Sequence, residues 1–461
     1  MSNMCRVIAT LLIAAGGGLI AAGSGASAQI LQSVPLPSVN LPGGSGTGGA
    51  IGSVGRTLDQ AIGGSALDTA AGQVSRADVE QAINPSLSRL VTERWVQNAP
   101  PATLLDLRRL RLAELIKDNR SKLEMDGAGN PARRGQLIAI DPSRAALGAA
   151  IRAGFTIRAE EPDKVLGLRT VILAVPSGMN VAKALVVLRR SAPGIAADFD
   201  HIFEPAGGRL MASSAVLAAG VGGAGPVIGM IDGGVGRSPS LASASIEQRG
   251  FAGAAEATGH GTAVASLMVG SDGKFAGAAR GASLLVGDVY GGNPAAGSAT
   301  NIVKAMSWIA ARRPTVINIS LVGPRNALVE RAINLLLARG IKIVAAVGND
   351  GPAAPPLYPA SQPGVIAVTG VDGTNRALAE AGRSTHLDYA GPGADMAAAL
   401  PGKGYTRVRG TSFAAPFVSA RLAMTGSTAR LDAEATKGRG RIGRGIVCAG
   451  CRIAPKQVGV R

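Results

Sequence analysis

Aromatic side chains are scarce, 3% of 461 residues, with Trp 2, Tyr 4 and Phe 7. A surface that stacks successive bases needs more of them, so single-strand nucleic-acid binding is disfavoured. Charged residues reach only 17% against 46% hydrophobic, which excludes wholesale disorder. Net charge is +17, yet no dense Lys/Arg run marks a nucleic-acid or membrane patch. The exception is the C-terminus, with 8 basic against 2 acidic residues from Arg430 onward. Beyond the first thirty residues no apolar run reaches about 18 residues, so no membrane-spanning helix is expected. Cysteine occurs 3 times: Cys5 near the start, then Cys448 and Cys451 as C-x-x-C. Glycine is the opposite case: its 65 residues favour tight turns and close helix–sheet contacts.

The length allows two or three domains. Arg6, the apolar Val7 to Ala22 and Ala26-Ser27-Ala28 read as a secretory signal peptide over 1–28. Export, to a periplasm or the medium of a bacterium, follows as an expectation and permits a Cys448–Cys451 disulfide. With no second cysteine pair, a local staple is preferred to a redox motif or half a zinc site. Residues 29–55 are Pro/Gly/Ser-rich and read as a linker. Residues 56–134 read as a helical segment of unassigned role, with Thr103 as an N-cap and Asp106 three residues later. Residues 135–205 follow a β-α-β-β-α-β pattern, the ferredoxin-like order. Residues 206–225 are Gly/Ala-rich, a linker. Over 226–430, short apolar strands alternate with helices, which predicts an α/β fold with a parallel sheet covered on both faces. Residues 431–461 read as a basic tail.

Three histidines narrow the search for chemistry. His260 stands between two glycines at the start of a helix, uncrowded as a base must be. Asp232 follows the apolar run Val227 to Ile231, where an α/β active site places a carboxylate. Ser412 opens an apolar helix, whose free N–H groups suit a developing oxyanion. Asn349 ends another strand with an amide donor. Each alone has an ordinary reading as a loop, turn or cap residue.

Together, Ile231-Asp232-Gly-Gly-Val235, Gly259-His260-Gly-Thr262 and Gly410-Thr-Ser412-Phe-Ala-Ala-Pro416 resemble the subtilisin-like serine proteases (subtilases, peptidase S8). The order Asp, His, Ser and the separations of 28, 89 and 63 residues through Asn349 agree with that family. The resemblance covers about Ala224 to Gly450. It implies a subtilisin-like three-layer fold and a serine endopeptidase acting through an acyl-enzyme. Ser412 would be the nucleophile, His260 the base, Asp232 its orienting acid and Asn349 an oxyanion donor. Ser320, Leu321, Val322 and Gly323 would form the substrate-binding edge. Residues 135–205 would be a propeptide that assists folding and inhibits until cut within 206–225. His201 would then be a propeptide residue, not a ligand, and His386 reads as solvated.

Some positions depart from the family. Gly233 stands where Ser or Thr is usual, removing a hydroxyl near Asp232. Phe413 replaces Met. Val322 replaces a glycine and predicts a preference for small P1 or P4 residues. Several subtilases bind structural calcium; that alternative stays open here, although no ligand pattern places it, and no catalytic metal and no cofactor are expected. The expected partners are protein or peptide substrates and the chain's own propeptide, with no specific nucleic acid and no membrane once the signal is removed, the protein being a monomer. Gly220-Val-Gly222-Gly-Ala-Gly225 precedes rather than follows a strand, against nucleotide binding. The rival readings are an inactive protease-fold binding module and a polyanion-binding exported protein. The second rests on 26 basic against 13 acidic residues over 206–461.

Overall fold

The computed structural model describes residues 100–206, 225–402 and 404–460. The expected signal peptide, the 29–55 linker, residues 56–99 and residues 207–224 of the glycine-rich linker lie outside these ranges. The chain divides into two compact units, one ending at Arg111 and one running from Leu112 to Arg461.

Helix α1 (Pro101–Asp118) starts earlier than expected. Proline at the first helical position costs no hydrogen bond, and the N–H groups of Thr103 and Leu104 reach the Pro100 carbonyl at 2.9 and 3.3 Å. Thr103 is therefore inside the helix rather than its cap. Strands follow where helix was expected: β1 (Leu123–Met125) and β2 (Pro131–Ile140) begin upstream of Gly135. Then come α2 (Arg144–Arg152), β3 (Thr156–Asp163), β4 (Leu168–Ala174), α3 (Val181–Ser191) and β5 (Ala197–His201). Ser143 Oγ and Asn180 Oδ1 cap the two helices, accepting from Ala146 and Lys183 N–H. The sheet runs β1-β2-β4-β3 with β5 also on β2, all antiparallel. Leu137, Ala139, Val171 and Leu173 alternate onto the face covered by Leu147, Leu185 and Leu188 of the helices.

A two-residue strand, β6 (Glu204–Pro205), leads to β7 (Val227–Asp232). Strand β8 (Ser245–Gly250), helix α4 (Gly259–Val269), the hairpin β9 (Ser271–Asp272) and β10 (Phe275–Ala276), and β11 (Ser283–Asp288) follow. Next are α5 (Ala299–Ala310), β12 (Val316–Ile319), β13 (Leu321–Val322), α6 (Ala327–Ala338), β14 (Lys342–Ala346) and β15 (Ile366–Val371). The remainder is β16 (Tyr389–Pro392), the hairpin β17 (Met396–Ala399) and β18 (Tyr405–Val408), α7 (Ala415–Thr425) and α8 (Thr428–Glu434).

The central sheet has seven parallel strands in the order β16-β15-β14-β12-β7-β11-β8. Because neighbouring side chains point to opposite faces, Ile228, Met230, Val344 and Ala346 pack with α4 and α7. Ile231, Ile317, Ile343 and Ala345 pack with α5 and α6. Gly229 allows this approach: a Cβ there would lie 2.5 Å from Ile309 of α5. Strand order reverses on either side of β7, and that switch point is where an open α/β sheet leaves a crevice at its carboxyl edge.

The C-terminal segment is folded rather than a free tail. Leu431, Ile446, Val447 and Ile453 are buried. Arg444 stacks over the Tyr389 ring at 4.2 Å, and Cys448 and Cys451 form a disulfide. Basic side chains at its surface hid this packing from composition alone.

Candidate active site

Asp232 is the last residue of β7, so the strand's end carries the carboxylate to the crevice. His260 sits in the first turn of α4, whose N-cap Thr258 accepts from Gly261 N–H at 3.0 Å. Gly261 has to be small, since a Cβ there would stand 2.2 Å from the Gly233 carbonyl. That closeness brings the two segments together: His260 Nδ1 lies 2.8 Å from Asp232 Oδ1, which also accepts the Gly233 N–H at 2.7 Å. Ser412 enters from a 3-10 turn ahead of α7, with Oγ 3.0 Å from His260 Nε2. Asp232, His260 and Ser412 are all buried. Phe413 lies against the imidazole, ring centroids 5.2 Å apart and planes tilted by 48°.

Gly348 adopts φ +93°, a left-handed turn that directs Asn349 toward the nucleophile's loop. Asn349 Oδ1 accepts the Thr411 N–H at 2.9 Å, while the Thr411 hydroxyl accepts the Gly348 N–H at 3.1 Å. With its oxygen so engaged, the amide presents Nδ2, a buried donor with no partner among the described residues. An unsatisfied buried donor is costly unless a ligand or transient charge uses it. Under Ser412, its carbonyl accepts Ser320 Oγ–H at 2.9 Å, and Ser320 Oγ accepts from Asn318 Nδ2 at 2.9 Å. Ser419 Oγ donates to Asn318 Oδ1, again at 2.9 Å, tying the nucleophile's helix to the sheet. Thr411, Asn318 and Ser419 were given no role from sequence; Thr411 lies within the Gly410–Pro416 motif and Ser419 three residues beyond it, which was the available signal.

Asp232 Oδ2 has no hydrogen-bond partner among the described residues. Gly233 has no side chain to offer it, and Thr258 fills the space beside that residue: a Cβ on Gly233 would meet Thr258 Oγ1 at 2.4 Å.

Strand β13 pairs antiparallel with β6, Leu321 facing Pro205 and Val322 facing Glu204. Ala206 N–H continues the ladder to the Ser320 carbonyl at 3.0 Å. Upstream, Asp198 accepts the Ala327 N–H at the start of α6 (2.7 Å), and Asp200 accepts the Thr300 N–H at the start of α5 (3.1 Å). Burial raises the Asp200 carboxyl above its usual range despite the Thr300, Arg133 and Gln136 contacts that oppose the shift. His201 is also buried, its ring nitrogens 3.1 Å from Asp126 and 3.1 Å from Asn326, a satisfied histidine away from the relay. His386 is not simply solvated, since Nε2 reaches the Val365 carbonyl at 2.8 Å. Among the described residues, no group of three or more His, Cys, Asp and Glu side chains is placed to hold a metal ion. No described helix is long and apolar enough to cross a membrane.

An acid, a base and a hydroxyl in hydrogen-bonded series, beside a free amide donor, define the machinery of a serine hydrolase. The subtilase family profile (peptidase S8) matches residues 223–437. Subtilisin Savinase of Lederbergia lenta is 31% identical over 211 residues, 44% of this chain and 77% of that protein. The major intracellular serine protease of Bacillus subtilis is 33% identical over 173 residues, 36% of this chain and 54% of the relative. The chain belongs to the subtilase family of serine endopeptidases. In fold it is similar to fervidolysin of Fervidobacterium pennivorans, a keratinolytic enzyme related to subtilisin, with TM-score 0.56 and 19% identity over 69% of this chain and 61% of that one.

Proposed function

We propose that the protein is an exported serine endopeptidase made as a self-processing zymogen. The observation that carries the reading is the Asp232–His260–Ser412 series, at 2.8 and 3.0 Å, beside the unpartnered Asn349 amide. Ser412 Oγ attacks the scissile carbonyl while His260 Nε2 takes its proton and passes it to the leaving amine. Asp232 fixes the imidazole through Nδ1 and stabilises the imidazolium. Asn349 Nδ2 and the Ser412 N–H receive the oxyanion. Water then attacks the acyl-enzyme with His260 again as base.

The zymogen reading is supported by the docking of the upstream unit: β6 lies on β13 as an extended peptide would, and Asp198 and Asp200 sit at two helix starts. The apolar N-terminal run of the sequence supports export. Substrates are proteins or peptides, and the propeptide is the intramolecular inhibitor. An inert binding module would require a break in the relay; the orphaned Asp232 Oδ2 is the one weak point, and Oδ1 keeps both its bonds.

Hydrolysis of fluorescent casein by the full chain, beside Ser412→Ala, tests the reading. Activity and a shortened chain in the wild type, both absent from Ser412→Ala, are expected. Equal hydrolysis by Ser412→Ala would refute it.

A further inference from the structure

Residues 202–206 do not merely cover the crevice; they occupy it in a fixed register. On one side the ladder runs Glu204 to Val322, Pro205 to Leu321 and Ala206 N–H to the Ser320 carbonyl. On the other, Phe203 N–H donates to the Gly297 carbonyl at 2.7 Å, and Ile202 bridges Ser298. The segment is thus the middle strand of a three-stranded arrangement. Alternating side chains of an extended chain point in opposite directions, so two recognition positions can be read from it.

Phe203 is fully buried. Its ring lies against the Cα of Gly323: a Cβ there would stand 2.5 Å from Phe203 Cδ1 and 2.7 Å from Cγ. Its carbonyl accepts the Tyr290 hydroxyl at 3.1 Å, and burial holds that hydroxyl protonated, its pKa well above the usual phenol range. Glycine at 323 therefore creates the space for an aromatic ring. Ala206 belongs to a different buried cluster, shared with Val322 and Leu357. There the wall is closed. A Cβ on Gly348, next to the oxyanion donor, would already meet Leu357 Cδ1 at 2.8 Å and Val322 Cγ1 at 3.4 Å.

We infer that the bond following Ala206 is the first bond this site cuts, and that the site selects peptides with alanine on the acyl side of the scissile bond and an aromatic residue three positions earlier. The inference rests on the zymogen reading above. Of the small P1 or P4 preference expected from Val322, the structure favours only the first half. The valine crowds the acyl position, whereas the aromatic position is set by its neighbour Gly323. In the self-cleavage step, the Ser412 Oγ–Ala206 carbonyl bond forms and the Ala206–Gly207 C–N bond breaks. The Ser412 proton passes through His260 to the Gly207 amine. Water then hydrolyses the ester, leaving an Ala206 carboxylate and a free Ser412 hydroxyl.

Two readouts test this. Intact mass and N-terminal sequencing of the processed full chain should give Gly207 as the new first residue. Fluorogenic tetrapeptides then read the subsites in trans, where docking of the upstream unit is not at issue. Phe-Glu-Pro-Ala should exceed Ala-Glu-Pro-Ala and Phe-Glu-Pro-Phe in kcat/KM by about 10- to 100-fold each, the range for burying or expelling one large side chain. Gly323→Val should invert the first ratio by filling the ring's place, and Val322→Gly should shrink the second. A fluorophosphonate label on Ser412 runs alongside. Label uptake with a different processing site, or with ratios near one, overturns the inference and leaves the protease reading standing. No label uptake overturns both.

Discussion

Replacing Asn349 with alanine separates the site's chemistry from its architecture. The side chain makes one described hydrogen bond, from Thr411 N–H to Oδ1 at 2.9 Å, and keeps Nδ2 free. Losing the first should cost about 1–3 kcal/mol of stability, because the Thr411 N–H is left buried and unpaired. Losing the second costs nothing in the resting protein and removes one oxyanion donor in the transition state. That loss is about 10²–10³ in kcat, or roughly 2.7–4 kcal/mol, with KM nearly unchanged. Asn349→Asp keeps an acceptor for Thr411 but offers the oxyanion no proton, so it should lose at least as much kcat. The assay is steady-state hydrolysis of one peptide by the processed enzyme, with urea unfolding of the same samples. A fall in kcat of less than about tenfold for Asn349→Ala, or a change confined to KM, would refute the assignment of Nδ2.

Other expectations follow from contacts around the site. Gly233→Ser should destabilise by about 1–3 kcal/mol because its Cβ runs into Thr258, and Thr258→Ala should relieve part of that cost; urea midpoints of the two singles and the double variant measure the coupling. Glu380 is buried and lies 2.8 Å from the partly buried Arg409 just ahead of the Ser412 turn; Glu380→Ala should cost about 1–3 kcal/mol by removing the guanidinium's carboxylate partner, and no measurable loss in urea unfolding would contradict this. Burial acts to raise the Asp126 carboxyl, but hydrogen bonds from His201, Asn130 and Ala128 outweigh it and hold it at about 2. A depressed carboxylate contributes stability that is complete above its unfolded value near about 4 and fades as pH falls toward the folded one. Melting temperature measured from pH 5 to 2 should therefore drop through that window, and less steeply for Asp126→Asn.

The meeting of Asp232, His260 and Ser412 was legible because these residues lie in short contiguous motifs whose flanking glycines are themselves required, as Gly261 against the Gly233 carbonyl shows. The inner strands of the central sheet were legible too, since burial on both faces makes them continuous apolar runs. Edge strands were not. Ser245–Gly250 carries Glu247, Gln248 and Arg249, and Tyr389–Pro392 carries glycine and proline, so neither reads as a strand alone. Their pairing comes from neighbours distant in sequence. The same holds for β1, which depends on Pro131 to Arg133, and for the C-terminal segment, held by single buried residues such as Ile446 among basic ones. The support beneath Ser412 was invisible for a related reason. Asn318, Ser320 and Ser419 meet only after the sheet and α7 pack, and nothing in their spacing announces a network.

The central claim is that Ser412 is an activated nucleophile. Covalent labelling of the processed protein with a fluorophosphonate, read by intact mass with Ser412→Ala alongside, tests it most directly. One adduct per chain, absent from Ser412→Ala, is the predicted result. No adduct on folded, processed protein would contradict the claim and make the binding module the better reading.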